Sequence, residues 1–302
     1  MSEATAIAEA PAGPVGGHVW RQFRRHPGGV AGLFVFVVIG LAVLFGPWVD
    51  RVDPNRISIR ERNQGVSLTH PFGTDNLGHD LFAQVLAGGR VSLAVGVAAM
   101  AISLLLGASV GVASGYWRRL DGPLMRLTDL FLALPLLPLL LVGVTLFREP
   151  LRAAFGPSTG IFILIVSAIG VTSWMHTARI VRGDVLGVKR LEFVLAAQAS
   201  GMRARRILIK HILPNVLSSI LVSATLGMAS AIITESVLSF LGLGFPPDFP
   251  TWGRLLYDGV SFMQITPSRV IWPGLAISLT VLSVNYIGDA IRDALDPRAL
   301  RR

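Results

Sequence analysis

Few residues of this chain have the type and spacing that catalysis requires. The sequence contains no cysteine, which excludes disulfides and thiolate metal sites, and its six histidines are scattered without metal-ligand spacing. A phosphate-binding loop needs Gly-Lys before Ser or Thr, but Lys189 and Lys210 each follow a branched apolar residue. We therefore expect no catalytic residue, no metal site and no cofactor in this chain.

A carboxylic acid within an apolar run is the first candidate for a functional side chain. Glu235 occupies such a position, where an ionisable group is costly and therefore a functional candidate by default. The alternatives are a hydrogen-bonded structural role or a position nearer the outer boundary. Pro135 is a further candidate for a pathway through the membrane, because Pro135 and Pro138 kink the helix that carries them; the alternative is a kink that only fits the bundle. Asn285 in the sixth apolar run is another candidate, with the same alternatives as Glu235.

Two polar or irregular segments lie between the apolar runs. Residues 70–80 (HPFGTDNLGHD) contain turn glycines, and Asp75 and Asp80 could each cap a following helix. A metal site at these His and Asp residues is a weaker alternative, because their spacing matches no standard ligand set. Residues 239–253 (SFLGLGFPPDFPTWG) favour a re-entrant or interfacial turn. We expect Asp75 and Trp252 at an external mouth.

The elements that position these residues are membrane-spanning helices. The chain has 302 residues, of which 52% are hydrophobic and 15% charged, and a mean hydropathy of +0.61. This composition is too apolar for an ordinary soluble domain. Six apolar runs have spanning length, at residues 30–49, 91–116, 124–147, 160–180, 216–238 and 270–291. The predicted fold is an all-α polytopic membrane protein with six transmembrane helices.

The net charge of +9 orients these helices. With both termini placed in the cytoplasm, 18 of the 27 Lys and Arg residues fall on the cytoplasmic side, as the positive-inside rule requires. Lipid explains the basic excess, and we expect no nucleic-acid binding because no basic-aromatic recognition module occurs. At the inner end of the third span, Arg126 and Asp129 are one turn apart and predict a local ion pair.

The basic segment 189–215 (KRLEFVLAAQASGMRARRILIKHILPN) predicts two short helices joined at a glycine. Its first half places small residues and one aromatic on one helical face: Phe193, Ala196, Ala197 and Ser200. Gly201 breaks or caps that helix, and a second pattern with Arg203 and Arg206 runs until Pro214 stops it. The pattern fits either a docking surface for another protein or an amphipathic hairpin on the membrane surface.

The order of residues in this segment resembles the EAA loop of ABC-importer permeases. Four further motifs stand in the same register: GTDNLGHD, LMRLTDLFLALP, ESVLSFLGLGFPP with TWG, and NYIGDAIRDALDPR. Together they resemble the C-type permease subunit of the dipeptide, oligopeptide and nickel importers over about residues 21–298. Leu195 and Gln198 depart from the usual acidic and basic residues of the loop.

The resemblance implies a type I ABC importer permease fold and a non-catalytic subunit that translocates peptides or related solutes. It implies several partners, namely a second homologous permease, two ATPase subunits that bind ATP and Mg²⁺, and an extracytoplasmic binding protein. The ATPase-docking residues it implies are Glu192, Phe193, Ala196, Ala197, Ala199, Gly201, Arg203, Arg206 and Pro214. An ATP-independent transporter and a membrane scaffold are the alternatives.

We expect four regions and one location. The regions are a cytoplasmic tail and interfacial segment (1–27), the first span with its external loop (28–87), the permease core (88–293) and a cytoplasmic C-terminal tail (294–302). The expected location is the cytoplasmic (inner) membrane of a prokaryote. The sequence leaves the cargo open among dipeptides, longer peptides, nickel chelates and glutathione-like molecules.

Overall fold

The computed structural model describes residues 15–49, 52–246 and 249–295. Within those ranges the chain is helical, and its one β-type pairing is an isolated bridge between Thr74 and Asp80. The helices are α1 (Val15–Arg25), α2 (Pro27–Val49), α3 (Leu81–Tyr116), α4 (Arg118–Ala133), α5 (Leu136–Phe155), α6 (Pro157–Val188), α7 (Glu192–Ala199), α8 (Ala204–Ile207), α9 (Leu213–Phe240), α10 (Trp252–Val260) and α11 (Ser268–Leu295). Residues 1–14 and 296–302 of the predicted tails lie outside the described residues.

The predicted membrane fold is confirmed. Helices α2, α3, α6, α8 with α9, and α11 are each long and apolar enough to cross a membrane, and α4 with α5 forms a sixth, bent candidate. Helix α3 begins ten residues before the apolar run at 91–116, so it also crosses position 88, the predicted start of the permease core. Hydropathy marks only the part of a helix that lies in lipid, and it therefore misses such extensions.

The third span is broken rather than kinked. Helices α4 and α5 meet at an angle of 88° across Leu134 and Pro135. Leu134 is extended, with φ −78° and ψ 134°, because the residue before a proline disfavours the helical conformation. Pro138 lies in the first turn of α5, where a proline displaces no helical hydrogen bond. The prediction of a single kinked helix over 124–147 located the bend correctly but was wrong about its size.

Two ion pairs attach α4 to α6. The guanidinium of Arg182 donates to both carboxylate oxygens of Asp121, with Nη2 2.8 Å from Oδ2. Asp129 pairs with Arg179. The predicted pairing of Asp129 with Arg126 is therefore wrong, because the carboxylate reaches across to the neighbouring helix instead of along its own.

Glycines allow α3 and α6 to pack closely. A Cβ on Gly107 would lie 2.7 Å from the carbonyl oxygen of Trp174, and one on Gly111 would lie 2.7 Å from that of Ala178. Gly115 repeats the spacing one turn later. Small residues four apart let membrane helices approach backbone to backbone. This contact makes α3 and α6 the central pair of the bundle.

An irregular layer, residues 52–80 together with α10, covers one end of the bundle. It contains a 3-10 turn at Ile59–Glu61. Gly78 has φ +81°, and a Cβ there would lie 1.8 Å from the carbonyl oxygen of Ser58, so only glycine fits. The Asp80 carboxylate accepts from Ala83 N at 3.0 Å and caps α3, as predicted.

Candidate functional site

The predicted coupling segment folds as two short helices that meet at a Schellman motif. The N–H of Gly201 donates to the carbonyl of Gln198 at 3.0 Å, and the N–H of Met202 donates to that of Ala197 at 3.2 Å. Gly201 has φ +74°, the left-handed conformation that this helix ending requires. The predicted break at Gly201 is therefore present, and it is a specific cap rather than a loose hinge.

Helix α7 has one buried side and one exposed side. Val194 and Ala197 are buried in a cluster with Val181 and Val185 of α6 and Ile212. The exposed side carries polar, small and large apolar side chains: Glu192, Phe193, Leu195, Ala196, Ala199 and Ser200. Ala197 is only 7% exposed, so it does not share the outward face predicted for it. Exposed Phe and Leu beside alanines form the kind of apolar patch that marks an interaction surface.

The second helix does not stop at Pro214. Helix α8 continues through a π-helical turn, Leu208–Ile212, directly into α9, where Pro214 occupies the first turn. In the π-helical turn the N–H of Leu213 donates to the carbonyl of Leu208, five residues back, and Pro214 follows directly. The prediction that Pro214 ends the helix is wrong. Arg203 and Arg206 are both exposed, which leaves their guanidinium groups available to a partner or to lipid.

Asp75, expected at the external mouth, is buried in the irregular layer. Its Oδ1 accepts from the backbone N–H groups of Leu77 and His79, each at 2.8 Å, and its Oδ2 lies 2.7 Å from His79 Nδ1. Asp75 thus closes a turn rather than capping a helix. It also lines a cavity of about 470 Å³ together with Arg254 and Arg269. In the described part of the chain no cluster of three His, Asp or Glu is arranged to hold a metal ion.

Trp252 and Glu235 belong to one buried network. Trp252 is fully buried and donates its indole N–H to the carbonyl of Val85 at 2.9 Å. Its backbone N–H donates to Ser92 Oγ, which in turn donates to Glu235 Oε2 at 3.1 Å. Ser239 Oγ donates to the other carboxylate oxygen at 2.7 Å. Glu235 therefore ties α3, α9 and α10 together, and Trp252 is a packing residue rather than a residue of an open mouth.

The break at Pro135 borders a cavity inside the membrane region. Leu134 and Leu136 line a space of about 540 Å³ between the α4–α5 bend, α6 and α9. Its polar wall consists of one histidine and several hydroxyl side chains: Thr172, Ser173, His176, Thr177, Ser223 and Ser230. Glu235 and the partly buried Asn285 do not line this space. Of the three predicted pathway positions, only Pro135 has neighbours that border it.

Sequence reasoning missed this polar wall. His176 falls inside the predicted span 160–180, where an ionisable residue is a functional candidate, whereas the spacing of the six histidines bears only on metal binding. Thr172 and His176 are four residues apart, and Ser223 and Ser230 are seven apart, so each pair shares a helix face. A search of the apolar runs for polar residues at helical spacing finds both pairs.

The chain belongs to the family of binding-protein-dependent transport system inner membrane components, whose model matches residues 103–301. A second model, the N-terminal TM domain of oligopeptide transport permease C, matches residues 16–65. The chain is thus the permease subunit of an ABC importer. This membership does not favour an ATP-independent transporter or a scaffold.

Similar proteins cover nearly the whole chain. The oligopeptide transport system permease protein OppC of Bacillus subtilis is 39% identical over 279 residues, which are 92% of this chain and 88% of that protein. The glutathione transport system permease protein GsiD of Pectobacterium atrosepticum is 37% identical, over 92% and 90% of the two chains. The inward-facing MetNI methionine ABC transporter shares the fold, with a TM-score of 0.59 at 17% identity over 70% of this chain and 96% of that one.

Proposed function

We propose that this chain forms one half of the membrane pathway of a peptide importer and pairs with a second, homologous permease subunit. The names of the similar proteins support the cargo class, since they include oligopeptide, dipeptide and glutathione permeases. Residues 88–293 form the permease core, and residues 28–87 form the first span with its external loop. The complex lies in the cytoplasmic membrane of a prokaryote.

The observation that carries the mechanism is the two-sided construction of α7. Its outer side exposes Phe193, Ala196 and Ala199, while its inner side shares a hydrophobic cluster with α6 and α9. A cytoplasmic ATPase that engages the outer side can therefore move two membrane helices through a continuous packed core. ATP and Mg²⁺ bind the ATPase pair, and this chain contributes no group to hydrolysis. A hairpin resting on lipid would have no need of a shared core with the spans.

The orientation places both termini in the cytoplasm. Segment 189–215 then faces the ATPases, and the layer of residues 52–80 and α10 faces an extracytoplasmic binding protein. The excess of Arg and Lys on the side of segment 189–215 supports this arrangement. Solute passes from the binding protein to the membrane helices when the ATPase pair closes.

Purification of the tagged chain from its native membrane in mild detergent tests the composition. Mass spectrometry should find a second permease and two ATPase subunits, and a clean homo-oligomer would contradict the proposal. The reconstituted complex should take up di- or oligopeptides only with its binding protein and ATP.

Cross-linking from single cysteines tests the docking surface, since the chain has no native cysteine. Ala196→Cys should cross-link to an ATPase subunit. Ser261→Cys, exposed after α10 in the opposite layer, is the matched control and should not. Equal cross-linking of the ATPase from both positions would contradict the orientation.

A further inference from the structure

The polar wall described above continues toward the coupling segment. A second cavity, of about 440 Å³, shares Ile180, Ser223 and Leu226 with the first. It extends along α6 and α9 to Asp184 and to Arg292 of α11. The two cavities therefore form one groove, which runs from mid-membrane to the end of α6 that leads into α7.

Ser223 marks the junction of the two cavities. Its side chain is 6% exposed, and its Oγ has no hydrogen-bond partner among the described residues. A buried hydroxyl without a partner is destabilising, so such groups normally meet water or a ligand. Farther along, Asp184 Oδ2 is also buried and unpartnered in the described part of the chain. Lipid tails would satisfy neither group.

We propose that this groove is the part of the translocation pathway contributed by this chain, and that its occupant is the transported peptide itself. The proposal rests on the function proposed above and adds the residues that the peptide contacts. The hydroxyls of Thr172, Ser173, Ser223 and Ser230 offer both donors and acceptors to peptide amides, whatever the side chains of the cargo. Such contacts suit a pathway that must accept many peptides.

His176 is the single ionisable side chain among the described residues that line the first cavity, the one beside the α4–α5 bend. It is exposed to the groove, so its charge state and size act directly on what passes. His176→Ala should relax discrimination between acidic and basic peptides, while Val171→Ala, at an exposed position of α6 that does not line the groove, is the matched control and should not. The Val171→Ala control should keep ATP-dependent uptake of acidic, basic and neutral peptides at the wild-type level.

Cysteine accessibility in the assembled complex provides the direct test, because the chain itself is free of cysteine. Ser223→Cys and Ser230→Cys are small changes that preserve folding. Leu221→Cys is the matched control, because Leu221 is 44% exposed and lies about 200° around α9 from Ser223. The complex is reconstituted in proteoliposomes and labelled with a charged methanethiosulfonate, with and without a transported dipeptide. Mass spectrometry then measures the labelling of this chain.

Ser230→Cys, at an exposed position of the groove, should react at least about tenfold faster than Leu221→Cys, because a thiol in apolar surroundings forms little reactive thiolate. The transported dipeptide should slow the groove cysteines and leave the control unchanged. Groove cysteines that are inert in every nucleotide state would show that a helix of the partner permease or lipid fills the groove. Absence of uptake for a panel of di- to pentapeptides by the wild-type complex would refute the cargo, whereas the labelling pattern would still report on the groove.

Discussion

Substitutions of Gly201 separate backbone strain from surface bulk at the coupling segment. With φ +74°, this position disfavours most residues by about 1–2 kcal/mol, whereas Asn adopts the left-handed conformation more readily. Among the described residues, no atom beyond its chain neighbours lies within 4 Å of a Cβ built there. A Cβ at Gly201 therefore meets no obstacle among the described residues, which leaves the space beside it open to a partner.

Three variants distinguish the two effects. Strain of about 1–2 kcal/mol shifts the local equilibrium of the cap by about 5- to 30-fold. If strain alone mattered, Gly201→Asn would behave as wild type, and Gly201→Ala and Gly201→Leu would be impaired equally. Because we infer that α7 docks against an ATPase, we expect bulk to decide, with Ala the least impaired, Asn intermediate and Leu uncoupled.

The assay is the number of peptides transported per ATP hydrolysed by the reconstituted complex. The unfolding midpoint of each variant serves as the control for stability and insertion. ATP hydrolysis that continues without uptake in Gly201→Leu is the expected signature of uncoupling. Normal transport per ATP by a stably inserted Gly201→Leu complex would refute the docking argument, and an Asn variant superior to Ala would assign the effect to strain.

Three further changes probe the interior of the bundle through the unfolding midpoint of the detergent-solubilised complex. Glu235→Ala leaves the buried hydroxyls of Ser92 and Ser239 without this acceptor and should be destabilising by about 1–3 kcal/mol relative to Glu235→Gln. A variant with unchanged stability and reduced uptake would instead indicate that Glu235 contacts the transported solute. Trp252→Phe should lose the hydrogen bond to Val85, about 1 kcal/mol, with uptake unchanged; altered peptide preference would contradict a packing role. Arg182→Lys should lose the two-point contact with Asp121, about 0.5–1 kcal/mol, which a double-mutant cycle measures.

Hydropathy and helix punctuation predicted much of this architecture. Apolar runs located the five long candidate spans and the bent α4–α5 pair, because the bilayer imposes a minimum length on each helix. Gly201 was identified as a break because glycine is the usual residue of a left-handed helix cap, and the structure shows that cap. The sequence likewise indicates Asp80 as a cap, and its carboxylate accepts from Ala83 N. Both caps are predictable because each depends only on residues close in sequence.

Features that depend on tertiary contacts could not be predicted in this way. A proline predicts a helix break both at Pro135 and at Pro214. The chain turns by 88° at Pro135, whereas the helix continues through Pro214 into α9. A π-helical turn, Leu208–Ile212, precedes Pro214, whereas an extended residue, Leu134, precedes Pro135. Glu235 likewise accepts from Ser92, which is far away in sequence and is brought beside the carboxylate by the packing of α3 against α9.

The connection between the coupling segment and the groove follows from which faces the helices share. Val181 and Val185 of α6 and Val216 of α9 pack in the same cluster as Val194 of α7. The neighbouring faces of those two membrane helices line the groove that contains Ser223. Packed cores move as units, since interiors are dense and not continuously deformable. On the proposed function, an ATPase that displaces α7 should therefore also shift α6 and α9, and with them the width of the groove.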